Sequence, residues 1–137
     1  MSDLIDRAVT ADVGGASEAV VAAGVLEAGR QADLIVGTGP LPGSDEWLAE
    51  EGTDIPAERQ LAWQLVCLRI QLGAGIDTVE TVMSLRRCGA TWATIGRATG
   101  MTRQSAHERW GRQVAAILDP YGAGMPPAVP DDDPVAP

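Results

Sequence analysis

Apolar residues recur at helical spacing along most of this chain, and that period sets the first expectation. Over residues 16–33, Val20, Val21, Ala23, Ala28 and Ala32 mark the small apolar positions of a helix interrupted by Gly24 and Gly29. Leu34, Ile35 and Val36 either close that helix or form a brief extended segment. The run Gly37-Thr-Gly-Pro-Leu-Pro-Gly43 is punctuation and predicts a turn or linker. Residues 1–14 read as polar and loosely ordered. Glu46, Glu50, Glu51 and Asp54 form an acidic patch around Trp47 and Leu48.

Residues 57–72 predict a strongly apolar helix. Gln60, Gln64, Cys67 and Gln71 recur at i, i+4, i+7 and i+11 and form a single narrow polar stripe. Leu61, Ala62, Trp63, Leu65, Val66 and Leu68 fill most of the remaining surface, so the helix must be buried on most sides, as the spine of a domain or in a dimer seam. Gly73 and Gly75 end it. A further helix starts at Asp77, with Glu80 three residues on in a capping-box arrangement, and stops at Gly89. Arg86 and Arg87 occupy its last turn, where cations complement the helix dipole.

Two shorter periods follow. Thr91 caps a helix that ends at Gly100, and Thr102 caps a longer one that runs to about Leu118. Two helices joined by a tight glycine turn are the helix-turn-helix plan. Its residue types have physical reasons. Gly96 is small because the second helix crosses close to it, and Gly100 permits a sharp turn that a Cβ resists. Ile95, Met101 and Ala106 fill the angle between the helices. At about 100° per residue, Ala106, Trp110, Gln113, Val114 and Ile117 fall on one side of the second helix, the expected core side. Gln104, Ser105, His107, Glu108, Gly111 and Arg112 fall on the other.

Charge sharpens this picture. The 137-residue chain carries a net −9, which by itself argues against nucleic acid. Between residues 84 and 118, however, six arginines (Arg86, Arg87, Arg97, Arg103, Arg109, Arg112) face one acid, Glu108, so this window is +5 and the rest of the chain −14. With no Phe and one Tyr, the four tryptophans Trp47, Trp63, Trp92 and Trp110 are expected to carry much of the packing volume. There is no Lys, so arginine is the cation available to a ligand; that bias reads as the codon usage of a GC-rich genome. The proline- and aspartate-rich stretch from Asp119 reads as a disordered acidic tail.

The stretch 91–110, Thr-Trp-Ala-Thr-Ile-Gly-Arg-Ala-Thr-Gly-Met-Thr-Arg-Gln-Ser-Ala-His-Glu-Arg-Trp, resembles the helix-turn-helix superfamily of bacterial DNA-binding regulators. It is similar to the TWxxIGxxxGxTRQxAxxRW pattern of small regulators from GC-rich bacteria, and more loosely to sigma-factor region 4. The resemblance spans about residues 75–118 and leaves residues 1–55 uncovered. Arg109 stands where an apolar residue is more usual.

The resemblance implies that the outer face of the helix beginning at Thr102 enters the major groove of double-stranded DNA. Gln104 has the amide to pair with adenine, Arg103 or Arg112 to read guanine or hold phosphate, and Glu108 to accept from cytosine N4. Ser105 and His107 lie on the same face. Arg97, Arg86 and Arg87 would grip the backbone, and the helix N-terminus at Thr102 offers amide donors to a phosphate. Plainer roles stand beside these: Arg103 and Arg109 covering the core with their stems, Glu108 pairing with Arg112, His107 as an ordinary polar contact. Regulators of this kind act as dimers on paired half-sites, with the seam supplied by the apolar helix 57–72 or the N-terminal helix.

Other chemistries lack their residues. Cys67 and Cys88 stand far apart with a single His in the chain, which is too few ligands for a zinc site, and they read as half-buried free thiols. No nucleophile motif, phosphate loop or dinucleotide fingerprint is present, so no catalytic residue, metal or cofactor is assigned. No signal peptide and no apolar run of membrane-spanning length is seen, which makes a cytoplasmic protein the expectation. The expected architecture is all-α: an acidic N-terminal segment 1–45 with a helix at 16–33, a four-helix domain 46–118 ending in the helix-turn-helix 91–118, and the tail 119–137. The rival function is an interaction module, in which the same helix pair and the acidic residues 1–55 bind a protein partner.

Overall fold

The computed structural model describes residues 2–118, which form seven helices and no strand. The chain is all-α, as the periodicity predicts; the tail expected at 119–137 lies outside the described residues. In order, the helices are α1 (Asp3–Thr10), α2 (Gly14–Val36), α3 (Asp45–Ala49), α4 (Ile55–Gly73), α5 (Val79–Arg87), α6 (Trp92–Thr99) and α7 (Arg103–Leu118).

The core is built by the last four helices. Leu68 of α4, Val82 and Leu85 of α5, Ile95 of α6 and Ala106, Trp110 and Val114 of α7 are buried together, with Ala90 and Trp92 at the α5–α6 corner. Each fully buried Leu, Ile or Val contributes about 1.5–3 kcal/mol relative to an exposed one, so this small cluster dominates the stability of residues 60–118. Of the four tryptophans, Trp92 and Trp110 are buried, Trp63 is half-buried and Trp47 is exposed, so the aromatic volume is concentrated around the last two helices and not spread over the chain.

The polar stripe of α4 faces inward. Gln64, Cys67 and Gln71 are buried and Gln60 is exposed, while the flanking apolar residues other than Leu68 are only partly covered. The stripe lies in the seam between α2 and α5, in a groove of about 220 Å³ that Val25, Thr81 and Ser84 also line. Partners on α5 and at its C-cap make this tolerable: the Thr81 hydroxyl donates to Gln71 Oε1 at 2.6 Å and Gln64 Nε2 donates to Cys88 Sγ at 3.5 Å. Gln64 Oε1 has no hydrogen-bond partner among the described residues. Cys67 is buried, and Cys88, past the end of α5, is exposed.

Helix α2 runs antiparallel to α4 and packs on it, although the sequence placed it in a separate N-terminal segment. Ala28 and Ala32 are the buried residues. Small residues allow the close approach: a Cβ at Gly24 would lie 2.8 Å from Ile76 Cδ1, and one at Gly29 3.1 Å from Trp63 Cζ2. Asp33 Oδ1 accepts from Trp63 Nε1 at 2.8 Å and holds the far end. Leu34–Val36 close the helix and do not form an extended segment. Residues 1–14, expected to be loosely ordered, contain α1, whose N-terminus is capped by Ser2. Likewise, Ser44 caps α3 within the acidic patch, accepting from Trp47 N. No single helix among the described residues is long and apolar enough to cross a membrane.

Candidate nucleic-acid interface

The geometry between α6 and α7 follows from two capping side chains and two glycines. Thr91 Oγ1 accepts from Thr94 N at 3.1 Å and caps α6; Thr102 Oγ1 accepts from Ser105 N at 3.0 Å and caps α7. Between them Gly100 adopts φ +73°, the left-handed conformation that ends α6 and turns the chain. The returning backbone then passes over Gly96. Met101 N donates to Gly96 O at 2.8 Å, and a Cβ on Gly96 would sit 2.7 Å from Met101 O and 3.0 Å from the carbonyl of Thr102. The residue pattern predicts that the second helix crosses close to Gly96; the atoms that come close are instead those of the turn, Met101 and Thr102, just before α7 begins.

The buried side of α7 is Ala106, Trp110, Gly111 and Val114. Gln113 and Ile117, expected on the core side, are exposed, and Gly111, expected on the outer face, is buried. The buried stripe therefore ends at Val114, and Gly111 is covered from its own helix: a Cβ there would lie 3.1 Å from the His107 ring.

The outward face of α7 presents Gln104, Ser105, His107, Glu108, Arg109 and Arg112, all exposed. Gln104 Nε2 donates to Glu108 Oε1 at 3.1 Å, so the amide and the only acid of this region form a pair one turn apart. The Ser105 hydroxyl accepts from Thr102 Oγ1 at 2.9 Å. His107 stands edge-on to Trp92, ring centroids 5.5 Å apart at 89°. Thr102 is exposed at the start of the helix, and Arg103 is half-buried there.

The arginines divide into two sets. Arg87, Arg97 and Arg112 are exposed. Arg86 is not: it is 6% exposed, its Nη1 donates to the carbonyl of Ala90 at 3.0 Å, and its guanidinium lies 4.7 Å from the centroid of the Trp92 ring. The expected phosphate grip from Arg86 is thus corrected to a structural one. It closes the α5–α6 corner by satisfying a backbone carbonyl and covering an aromatic face. Periodicity could not reveal this, because Arg86 and Trp92 belong to different helices. Arg109 makes a similar contact, its guanidinium 4.9 Å from the Trp110 ring, and remains exposed. Sequence reasoning left Arg109 outside the interface, and its exposure beside Arg112 adds it as a candidate.

Trp110 is fixed from the other side. Its Nε1 donates to Thr78 Oγ1 at 3.0 Å, with both residues buried. Thr78 is the N-cap residue of α5, while Asp77 Oδ1 accepts from Val79 N at 3.0 Å. The capping box expected of Asp77 and Glu80 is therefore not the arrangement found: Asp77 accepts from the N–H two residues on rather than from that of Glu80, the N-cap is Thr78, and the Thr78 hydroxyl holds α7 instead. No group of His, Cys, Asp and Glu suited to a metal ion occurs among the described residues. No known protein family, no curated protein and no solved structure matches the chain.

Proposed function

We propose that the chain is a sequence-specific double-stranded DNA-binding protein, a transcriptional regulator that reads the major groove with α7. One observation carries the reading: a capped helix pair turns sharply at Gly100, and the second helix turns a polar, arginine-bearing face to solvent in a chain whose remaining charge is strongly negative. Gln104, Arg112 and Glu108 supply the base-edge chemistry, with Ser105 and His107 beside them and Arg103 at the helix start. Arg87, Arg97 and Arg109 supply phosphate contacts, and Thr102 opens the helix N-terminus toward a phosphate. The Gln104–Glu108 bond holds the amide in place before DNA arrives. On this reading the protein works as a homodimer in the cytoplasm without cofactor or catalysis.

Binding of the purified protein to labelled genomic DNA fragments across a salt series tests this. The expected result is tight binding to a few fragments that weakens steeply with salt, as release of counterions from about four to six phosphates requires. Gln104→Ala, and Arg103→Ala combined with Arg112→Ala, abolish the fragment preference. Absence of binding at low salt overturns the reading in favour of a protein partner, contacted through the same helix pair or through residues 1–55.

A further inference from the structure

Every residue from Ser2 to Ala23 is exposed, yet this stretch is helical except for a short link. Helix α1 has eight residues and buries none of them, while an isolated helix shorter than about 12–15 residues is marginal in water. Its apolar residues nevertheless share one side: Leu4, Ile5, Ala8 and Val9, with Asp3, Asp6 and Arg7 opposite. Helix α2 meets it at 60° and continues the theme. The stripe that α2 lays on α4 through Gly24, Ala28 and Ala32 extends back through Val21, Val20 and Val13, but α4 ends at Gly73, and Gly24, facing Ile76, is the first residue of α2 that is not exposed. The apolar face therefore outruns its partner by about three turns.

From these observations we infer that α1 and the first half of α2 form a dimerisation arm that packs against the same arm of a second copy of this chain. The inference names the seam of the dimer that the DNA-binding reading requires, and in that sense rests on it. Three features point to a second copy. The seam continues an existing helix–helix packing stripe, so another α-helix is the shape that fits it. The area is sufficient: Leu4, Ile5, Val9, Val13, Val20 and Val21 are between 45 and 71% exposed. With Val25 they present roughly 600 Å² of apolar surface, at the lower end of what one partner gives up in a standard interface. Finally, the acids of α1 lie off the apolar face, so two arms related by a two-fold axis meet without opposing carboxylates. Residues 119–137 fit the seam poorly by composition, since Tyr121, Met125, Val129 and Val135 are their only large apolar side chains and are separated by glycines and prolines.

The test is sedimentation equilibrium of the full 137-residue chain without DNA, over about 0.1 to 100 micromolar. A mass of twice 14.3 kDa is expected within that range. Leu4→Glu together with Val20→Glu weakens dimerisation by on the order of 100-fold, because a carboxylate is placed in the seam. Both positions are exposed in the single chain, so helicity by circular dichroism and the urea midpoint of the diluted monomer stay unchanged. Arg97→Ala with Arg112→Ala serves as the separate arm: it removes DNA binding if that reading holds and leaves the dimer intact. A mass of 14.3 kDa at all concentrations, or a dimer that the two glutamates leave unaltered, overturns the inference whatever the DNA measurement shows.

Discussion

Trp110 of α7 donates its indole N–H to the hydroxyl of Thr78, 32 residues earlier, at 3.0 Å in the buried interior. This bond ties the candidate recognition helix to the start of α5, so the face offered to solvent is set by a partner outside the helix pair. Thr78→Val keeps the shape and removes the acceptor, leaving a buried donor unsatisfied at a cost of about 1–3 kcal/mol. Urea unfolding of the single variant, of Trp110→Phe and of the double variant measures the coupling; the double variant is expected to cost less than the sum of the two.

Three glycines of the helix pair give different outcomes on substitution by alanine. At Gly96 the new Cβ meets backbone atoms of Met101 and Thr102 that cannot step aside, which predicts a loss of about 1–3 kcal/mol. At Gly100 the space is open but φ is +73°, so strain alone predicts a loss of about 1 kcal/mol. At Gly111 the neighbour is the ring of exposed His107, which can swing away, and alanine gains about 1 kcal/mol of helix propensity. Gly111→Ala is therefore expected to be neutral or stabilising. Thermal unfolding of the three variants, ranked in that order, checks the account.

The helix pair was legible because its signals are local. Thr91 and Thr102 as caps, Gly100 as turn and Gly96 as close approach each act within a few residues, and the structure finds each in its expected role, with the turn in place of the helix over Gly96. Where partners come from other helices, reading failed. The α4 stripe is polar by sequence yet buried, because Thr81 and Cys88 on the neighbouring segment supply its hydrogen bonds. Arg86 is cationic yet buried, because Trp92 and the Ala90 carbonyl receive it. Helix α1 had a readable signal, Ser2 before Asp3 with Leu4, Ile5, Ala8 and Val9 on one side, that the acidic composition of the segment obscured.

The two thiols differ in access. Cys88 is exposed, whereas burial, with the Asp33 carboxylate adding to it, pushes the Cys67 thiol above its ordinary value. A water-soluble disulfide reagent at mildly alkaline pH is expected to modify Cys88 promptly and Cys67 only as fast as the fold opens. The same shift has a sign for stability. Above the ordinary thiol value the unfolded chain loses the Cys67 proton while the folded chain keeps it, so stability falls as pH rises from that value through the raised one. Cys67→Ala should flatten this alkaline limb. Two thiols reacting at equal rates in the native protein would refute the assignment.

Arg86 and Arg112 provide the sharpest separation between packing and binding. Both are arginines of the basic window, yet Arg86 is buried against Trp92 while Arg112 is exposed on α7. Arg86→Ala leaves the Ala90 carbonyl without its donor and uncovers an aromatic face, so it is expected to destabilise the fold by about 1–3 kcal/mol. Below its unfolding temperature, that variant should retain the full salt dependence of DNA binding. Arg112→Ala should leave the melting temperature within about 2 °C, since exposed substitutions shift stability by no more than about 0.5 kcal/mol. If Arg112 holds a phosphate, the slope of log affinity against log salt falls by about 0.9. If it reads a base, the slope is kept and the fragment preference is lost. An Arg86→Ala protein of unchanged stability with a reduced slope would reverse the division of the arginines, and would place Arg86 back among the groups that meet the DNA.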